Sequence, residues 1–98
     1  MTFRDPRGSG ARARATLETI SVSGLAFRPD TTGLRLEVGM VLEHAVLRIG
    51  DSELRGTIRI RSVPASASSP VGGLFYPETE QGERLLMTLI SGATTIEA

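Results

Sequence analysis

Hydrophobic and polar positions alternate with period two through the middle of the chain and switch to a helical period near its end. Val41, Glu43, Ala45, Leu47 and Ile49 fall on one face of an extended segment, with Leu42, His44, Val46 and Arg48 on the other. Gly50-Asp51-Ser52 supplies a turn, and the chain returns through residues 53–63. In that return Leu54, Ile58 and Ile60 point one way and Arg55, Thr57, Arg59 and Arg61 the other. Such alternation marks a strand with one wet face, so residues 41–61 are predicted to form an antiparallel hairpin.

Upstream, residues 14–20 and 24–28 read as two further strands. Leu17, Ile20, Val22, Leu25 and Phe27 supply β-type apolar positions, and Gly24 lets the backbone reverse. Residues 29–33 are a cluster of turn formers, and Leu34-Arg35-Leu36 is a short strand or an irregular link. Residues 64–70 form a Ser/Ala/Pro loop. Val71–Tyr76 reads as a final strand ended by Pro77. Residues 78–91 carry the helical signal, with Thr79 as N-cap, Glu80 and Glu83 in the first turns and Gly92 as C-cap. Leu85, Leu86, Leu89 and Ile90 make the apolar stripe, flanked by Met87.

Residues 1–12 contain Pro6, Gly8, Ser9 and Gly10 and are expected to be a flexible arm preceding one domain over 13–98. The fold class implied is mainly β: a small antiparallel barrel of five to seven strands with one C-terminal helix across an opening. Its interior is expected to bury Leu17, Leu25, Phe27, Leu47, Ile58, Ile60 and Leu74.

Composition narrows the functional classes. The chain has no cysteine, which removes disulfides, thiolate metal sites and a cysteine nucleophile. Eleven basic residues balance eleven acidic ones, which argues against a non-specific nucleic-acid binder. Every basic residue is arginine, and Arg4, Arg7, Arg12 and Arg14 face only Asp5 in the first fourteen residues. Guanidinium groups fork onto phosphates and stack on flat bases where ammonium groups do not. No apolar run reaches bilayer length and no secretory leader is evident, so a cytoplasmic location is expected. A single histidine, His44, sits in a strand without an accompanying acid or Gly-x-Ser-x-Gly elbow, and without lysine no phosphate loop of the Walker type is possible. Those features point away from an enzyme and imply no metal or cofactor.

The residues 19–24, Thr-Ile-Ser-Val-Ser-Gly, place hydroxyls and a glycine at the first strand reversal. This segment resembles the Asp-x-Ser-x-x-Gly turn of the PilZ family of bacterial signalling domains, with Ser21 and Gly24 in register and Thr19 in place of the aspartate. The order of the remaining pieces is similar too: an arginine-rich entry, the Gly39-Met40 lead into a hairpin, Val71-Gly-Gly-Leu-Phe75, and then a helix. The resemblance covers about residues 12–91. It implies a small barrel that receives cyclic di-GMP, with Arg4, Arg7, Arg12 or Arg14 on the phosphates and guanine, and Thr19, Ser21 and Gly24 shaping the pocket. Two departures stand out. None of these arginines are four residues apart, as the family's Arg-x-x-x-Arg pair requires, and Thr19 lacks the carboxylate that accepts from the guanine edge. The N-terminal segment is also short enough to suggest a missing first strand.

Two readings follow. In one, the chain is a PilZ-like, non-enzymatic module that works by contact with a protein partner or with a larger parent chain, through an edge strand left open by the shortened N-terminus, with cyclic di-GMP binding weak or lost. In the other, it is a functional cyclic di-GMP receptor using the arm arginines and the Ser21/Gly24 turn. An unrelated oligonucleotide-binding barrel is a more distant third, with only four aromatic side chains to offer for base stacking.

Overall fold

Burial and hydrogen bonding turn this pattern into a closed barrel. The structure, a computed structural model, describes residues 1–6, 11–21, 24–30, 35–65 and 69–90, and the backbone of 95–97. Its elements are β1 (Thr2–Arg4), β2 (Arg12–Ser21), β3 (Gly24–Pro29), β4 (Val41–Ile49), β5 (Ser52–Ser62), β6 (Val71–Pro77), α1 (Glu80–Leu89) and β7 (Thr95–Glu97). Six strands run in the order β1-β4-β5-β6-β3-β2, and β2 pairs with β1 to close the ring. All pairings are antiparallel. β7 joins the outer edge of β2 at Thr19–Ser21, while β1 occupies the same edge at Arg12–Arg14.

The first strand corrects the expectation of a flexible arm for residues 2–4 and 12. Thr2–Arg4 pair with Arg12–Arg14, and Thr2 also pairs with Val46 of β4. Phe3 is fully buried and drives this docking, because removing a phenyl side chain from water is worth about 1.5–3 kcal/mol. The barrel therefore draws its closing strand from its own N-terminus, and the open edge expected there is occupied. The pairing continues to the Asp5 amide, which donates to the Ala11 carbonyl at 2.9 Å. Gly8, Ser9 and Gly10 lie outside the described residues.

Three irregularities set which residues enter the core. Leu17 and Ile20 are three apart, so an ideal strand would send them to opposite faces. A β-bulge between Leu17 and Thr19 adds one residue to β2, and both side chains become buried. In β4, Glu43 and His44 together oppose Thr57, so the phase of the strand changes. Leu42 is consequently inside and Val41 outside, the reverse of what strict alternation predicts, whereas Ala45, Leu47 and Ile49 face the core as expected. A third register shift lies between Ile60 and Ser62. Leu54, Ile58 and Ile60 are buried and Arg55, Arg59 and Arg61 exposed, as the alternation of the return strand predicts.

The β4–β5 turn contains only Gly50 and Asp51, and Gly50 takes φ +59°, the pattern of a type II′ turn. Six of the seven expected interior residues are buried; Leu74 is half-buried instead. Residues 35–40 form no strand, although Leu36 is buried.

The helix is shorter than the predicted 78–91. Thr79 caps it, its Oγ1 accepting from the Gly82 amide at 2.9 Å, and Glu80 and Glu83 occupy the first turn. Ile90 serves as C-cap; Gly92 lies outside the described residues. No residue within the helix is buried, although Leu86 and Leu89 pack against the core and Ile90 enters it. The helix therefore rests shallowly on the barrel. Among the described residues no helix is long and apolar enough to cross a membrane.

Candidate functional site

The candidate residues separate into two places, because β2 carries them at its opposite ends. Arg4 and Arg12 are direct cross-strand partners in the β1–β2 pair, and both are exposed. They line an open cleft of about 320 Å³ with Ala11, His44, Val46, Arg55 and Glu78. Topology explains the assembly. β1 brings Thr2 opposite both Arg14 of β2 and Val46 of β4, and Val46 stands opposite Arg55 of β5. Glu78 is tied to the same row by its amide, which donates to the Arg55 carbonyl at 3.0 Å.

Arg12 is held firmly in this cleft. Its Nη2 donates to Thr2 Oγ1 at 2.8 Å and to the His44 carbonyl at 2.7 Å. His44 takes φ +52°, a left-handed conformation unusual for a residue with a side chain, at the β4 bulge. Arg4 meets Glu43 at 3.3 Å and Arg55 meets Glu53 at 3.7 Å, both as exposed pairs. Arg14 is exposed two residues along β2 and does not line the cleft. Arg7 lies outside the described residues.

Thr19, Ser21 and Gly24 gather at the far end. Ser21 opposes Gly24 across the β2–β3 pair, and its hydroxyl donates to the Gly24 carbonyl at 3.3 Å. Gly24 has φ +147°, and a Cβ built there would stand 2.6 Å from the Gly73 carbonyl oxygen. Close approach of β3 to β6 thus accounts for this glycine without any ligand. Thr19 and Ser21 flank the buried Ile20, and both pair with β7. Val22 and Ser23 lie outside the described residues.

Beside this end, a groove of about 270 Å³ opens between the helix and β6. Leu74, Phe75, Tyr76, Leu86 and Met87 line it together with Ser21 and Gly24. Tyr76 and Met87 remain 49% and 53% exposed.

The separation decides what the predicted set can do together. Arg12 and Ser21 are the first and last residues of one ten-residue strand. At about 3.3 Å per residue they stand roughly 25–30 Å apart. One cyclic dinucleotide does not bridge that span. Two members of the arginine cleft, His44 and Arg55, were not among the expected ligand residues. Arg55 was legible in principle, since the hairpin turn fixes its register against Val46; His44 depends on a bulge that no local pattern announces. Among the described residues no three histidine, aspartate or glutamate side chains cluster as a metal site would require.

No family model matches the chain, and no curated protein or solved structure matches it.

Proposed function

We propose that this chain is a PilZ-like bacterial signalling module, cytoplasmic and non-enzymatic, that works by contact with a protein and has lost effective cyclic di-GMP binding. The observation that carries this reading is the division of the motif: Arg4 and Arg12 sit at one end of β2, Thr19, Ser21 and Gly24 at the other. A ligand that needs phosphate clamps and a guanine-binding turn at once finds only half of its site at either end. Thr19 adds to this, because a hydroxyl is a poorer acceptor than a carboxylate for a charge-assisted bond.

Support for protein contact comes from the groove beside the helix. Tyr76 and Met87 are exposed there, and the helix that borders it buries none of its own residues. Exposed apolar positions at the rim of a groove are the usual makings of a protein-binding surface.

Calorimetric titration of the whole chain with cyclic di-GMP tests the reading. No saturable heat is expected. Micromolar or tighter binding, abolished by Arg4→Ala, Arg12→Ala or Arg14→Ala, makes the receptor reading correct instead.

A further inference from the structure

We propose that the cleft of Arg4, Arg12, Arg55 and His44 is a binding site for a phosphate monoester. It goes beyond the protein-contact reading and does not depend on it. The argument starts from an arrangement that is unfavourable by itself: Arg4 and Arg12 face each other directly across two strands, and like charges so placed repel. A dianion between them converts that repulsion into two attractions.

The cleft is also prepared for such an occupant. Both hydrogens of Arg12 Nη2 are engaged by Thr2 Oγ1 and the His44 carbonyl, which fixes the guanidinium plane. Among the described residues its Nη1 and Nε have no acceptor and are open to a further one. Preorganising a donor in this way lowers the ordering cost of binding. Arg55 reaches the same cleft from β5, and the His44 backbone stands in a strained left-handed conformation at its edge. The acids nearby do not cancel the site. The Arg4–Glu43 and Arg55–Glu53 pairs are solvent-exposed, a class of weak interaction that is readily exchanged for a stronger partner.

Charge selects the ligand class. A monoester carries about −1.5 to −2 at neutral pH and offers three acceptor oxygens, a match for the three guanidinium groups that line the cleft with Glu78 once Arg4 and Arg55 exchange Glu43 and Glu53 for it. A phosphodiester has a single charge and fewer free oxygens. This distinguishes the site from one for cyclic di-GMP, whose phosphates are diesters.

The test is an NMR titration of the full chain at low ionic strength with inorganic phosphate, phenyl phosphate and dimethyl phosphate. Saturable shifts are expected at the Arg4, Arg12 and Arg55 Nε–H signals and the His44 and Val46 amides, and not at Arg59 or Arg61. Dimethyl phosphate should bind at least tenfold more weakly than phenyl phosphate. Arg12→Gln and, separately, Arg55→Gln should each weaken phenyl phosphate at least tenfold with the amide spectrum otherwise retained, while Ser21→Ala has no effect. Tighter binding of phenyl phosphate than of inorganic phosphate identifies an organic monoester as the occupant; equal binding identifies the phosphate group alone, and both support the site. Failure of phenyl phosphate to shift these signals overturns the proposal. So do equal shifts at Arg59 and Arg61 that survive Arg12→Gln, which indicate general surface screening. Neither result bears on the cyclic di-GMP titration, so the two readings fail separately.

Discussion

Phe3 meets Phe27 edge to face at the centre of the barrel, with ring centroids 6.1 Å apart and planes inclined at 65°. One residue comes from the three-residue strand that closes the barrel and the other from β3, which is not its hydrogen-bonded neighbour. The contact therefore reaches through the core and ties the N-terminus to a strand two places round the ring. Phe3→Ala is expected to destabilise the domain by about 3–5 kcal/mol, since it leaves a large cavity and removes an aromatic pair. Urea unfolding followed by circular dichroism measures this. A change under 1 kcal/mol would show that β1 does not close the barrel.

Gly56 is buried on β5 where the backbone of β6 passes close by. A Cβ there would stand 2.1 Å from the Tyr76 carbonyl oxygen. Gly56→Ala must push β6 away and break pairing with Pro77 and Tyr76, at a cost of about 1–3 kcal/mol or more. Thermal melting compares this variant with Ala26→Gly, which removes a methyl from a half-buried position and should be milder.

Burial ranks two leucines differently from the helical pattern. Leu42 is fully buried and Leu89 only partly. Leu42→Ala should cost about 2–5 kcal/mol. Leu89→Ala should cost less, near 1 kcal/mol, in proportion to the smaller apolar area withdrawn from water. Equal losses in denaturant unfolding would mean that the helix docks more deeply than described above.

Thr79→Ala removes the side-chain acceptor of the Gly82 amide and should destabilise the helix by about 1 kcal/mol. Amide hydrogen exchange in residues 80–84 reports the effect locally, with faster exchange in the variant. Thr79→Ser should restore protection, because it keeps the hydroxyl.

Thr19→Asp restores a carboxylate to the turn but leaves Arg12 roughly 20–23 Å away along β2. On the proposed reading this change alone does not create cyclic di-GMP binding. Calorimetry showing saturable binding by the single variant would mean that the turn suffices without those arginines.

Local patterns in the chain carried much of this fold. The return strand reads correctly because Leu54, Ile58 and Ile60 obey strict alternation, and the Gly50-Asp51 turn has the residues its backbone demands. Thr79 was legible as an N-cap, since capping is settled within one turn. The candidate ligand residues were legible one by one, as arginines and as a Ser/Gly turn.

What the sequence determined by itself, then, was period, turn chemistry and caps, because each depends on residues a few positions apart. Long-range packing selected which face of β4 enters the core, since the bulge at Glu43 and His44 is stabilised by what Leu42 and Ala45 pack against. It also decided the fate of Phe3, because three residues have no strand propensity strong enough to announce themselves, and gain their pairing from β2 and β4. The same long-range closure set Arg4 beside Arg12, brought Arg55 and His44 to them, and left Ser21 and Gly24 at the other end of the strand. Spacing along the chain holds none of this, because the distance between two side chains in a barrel depends on strand order and register.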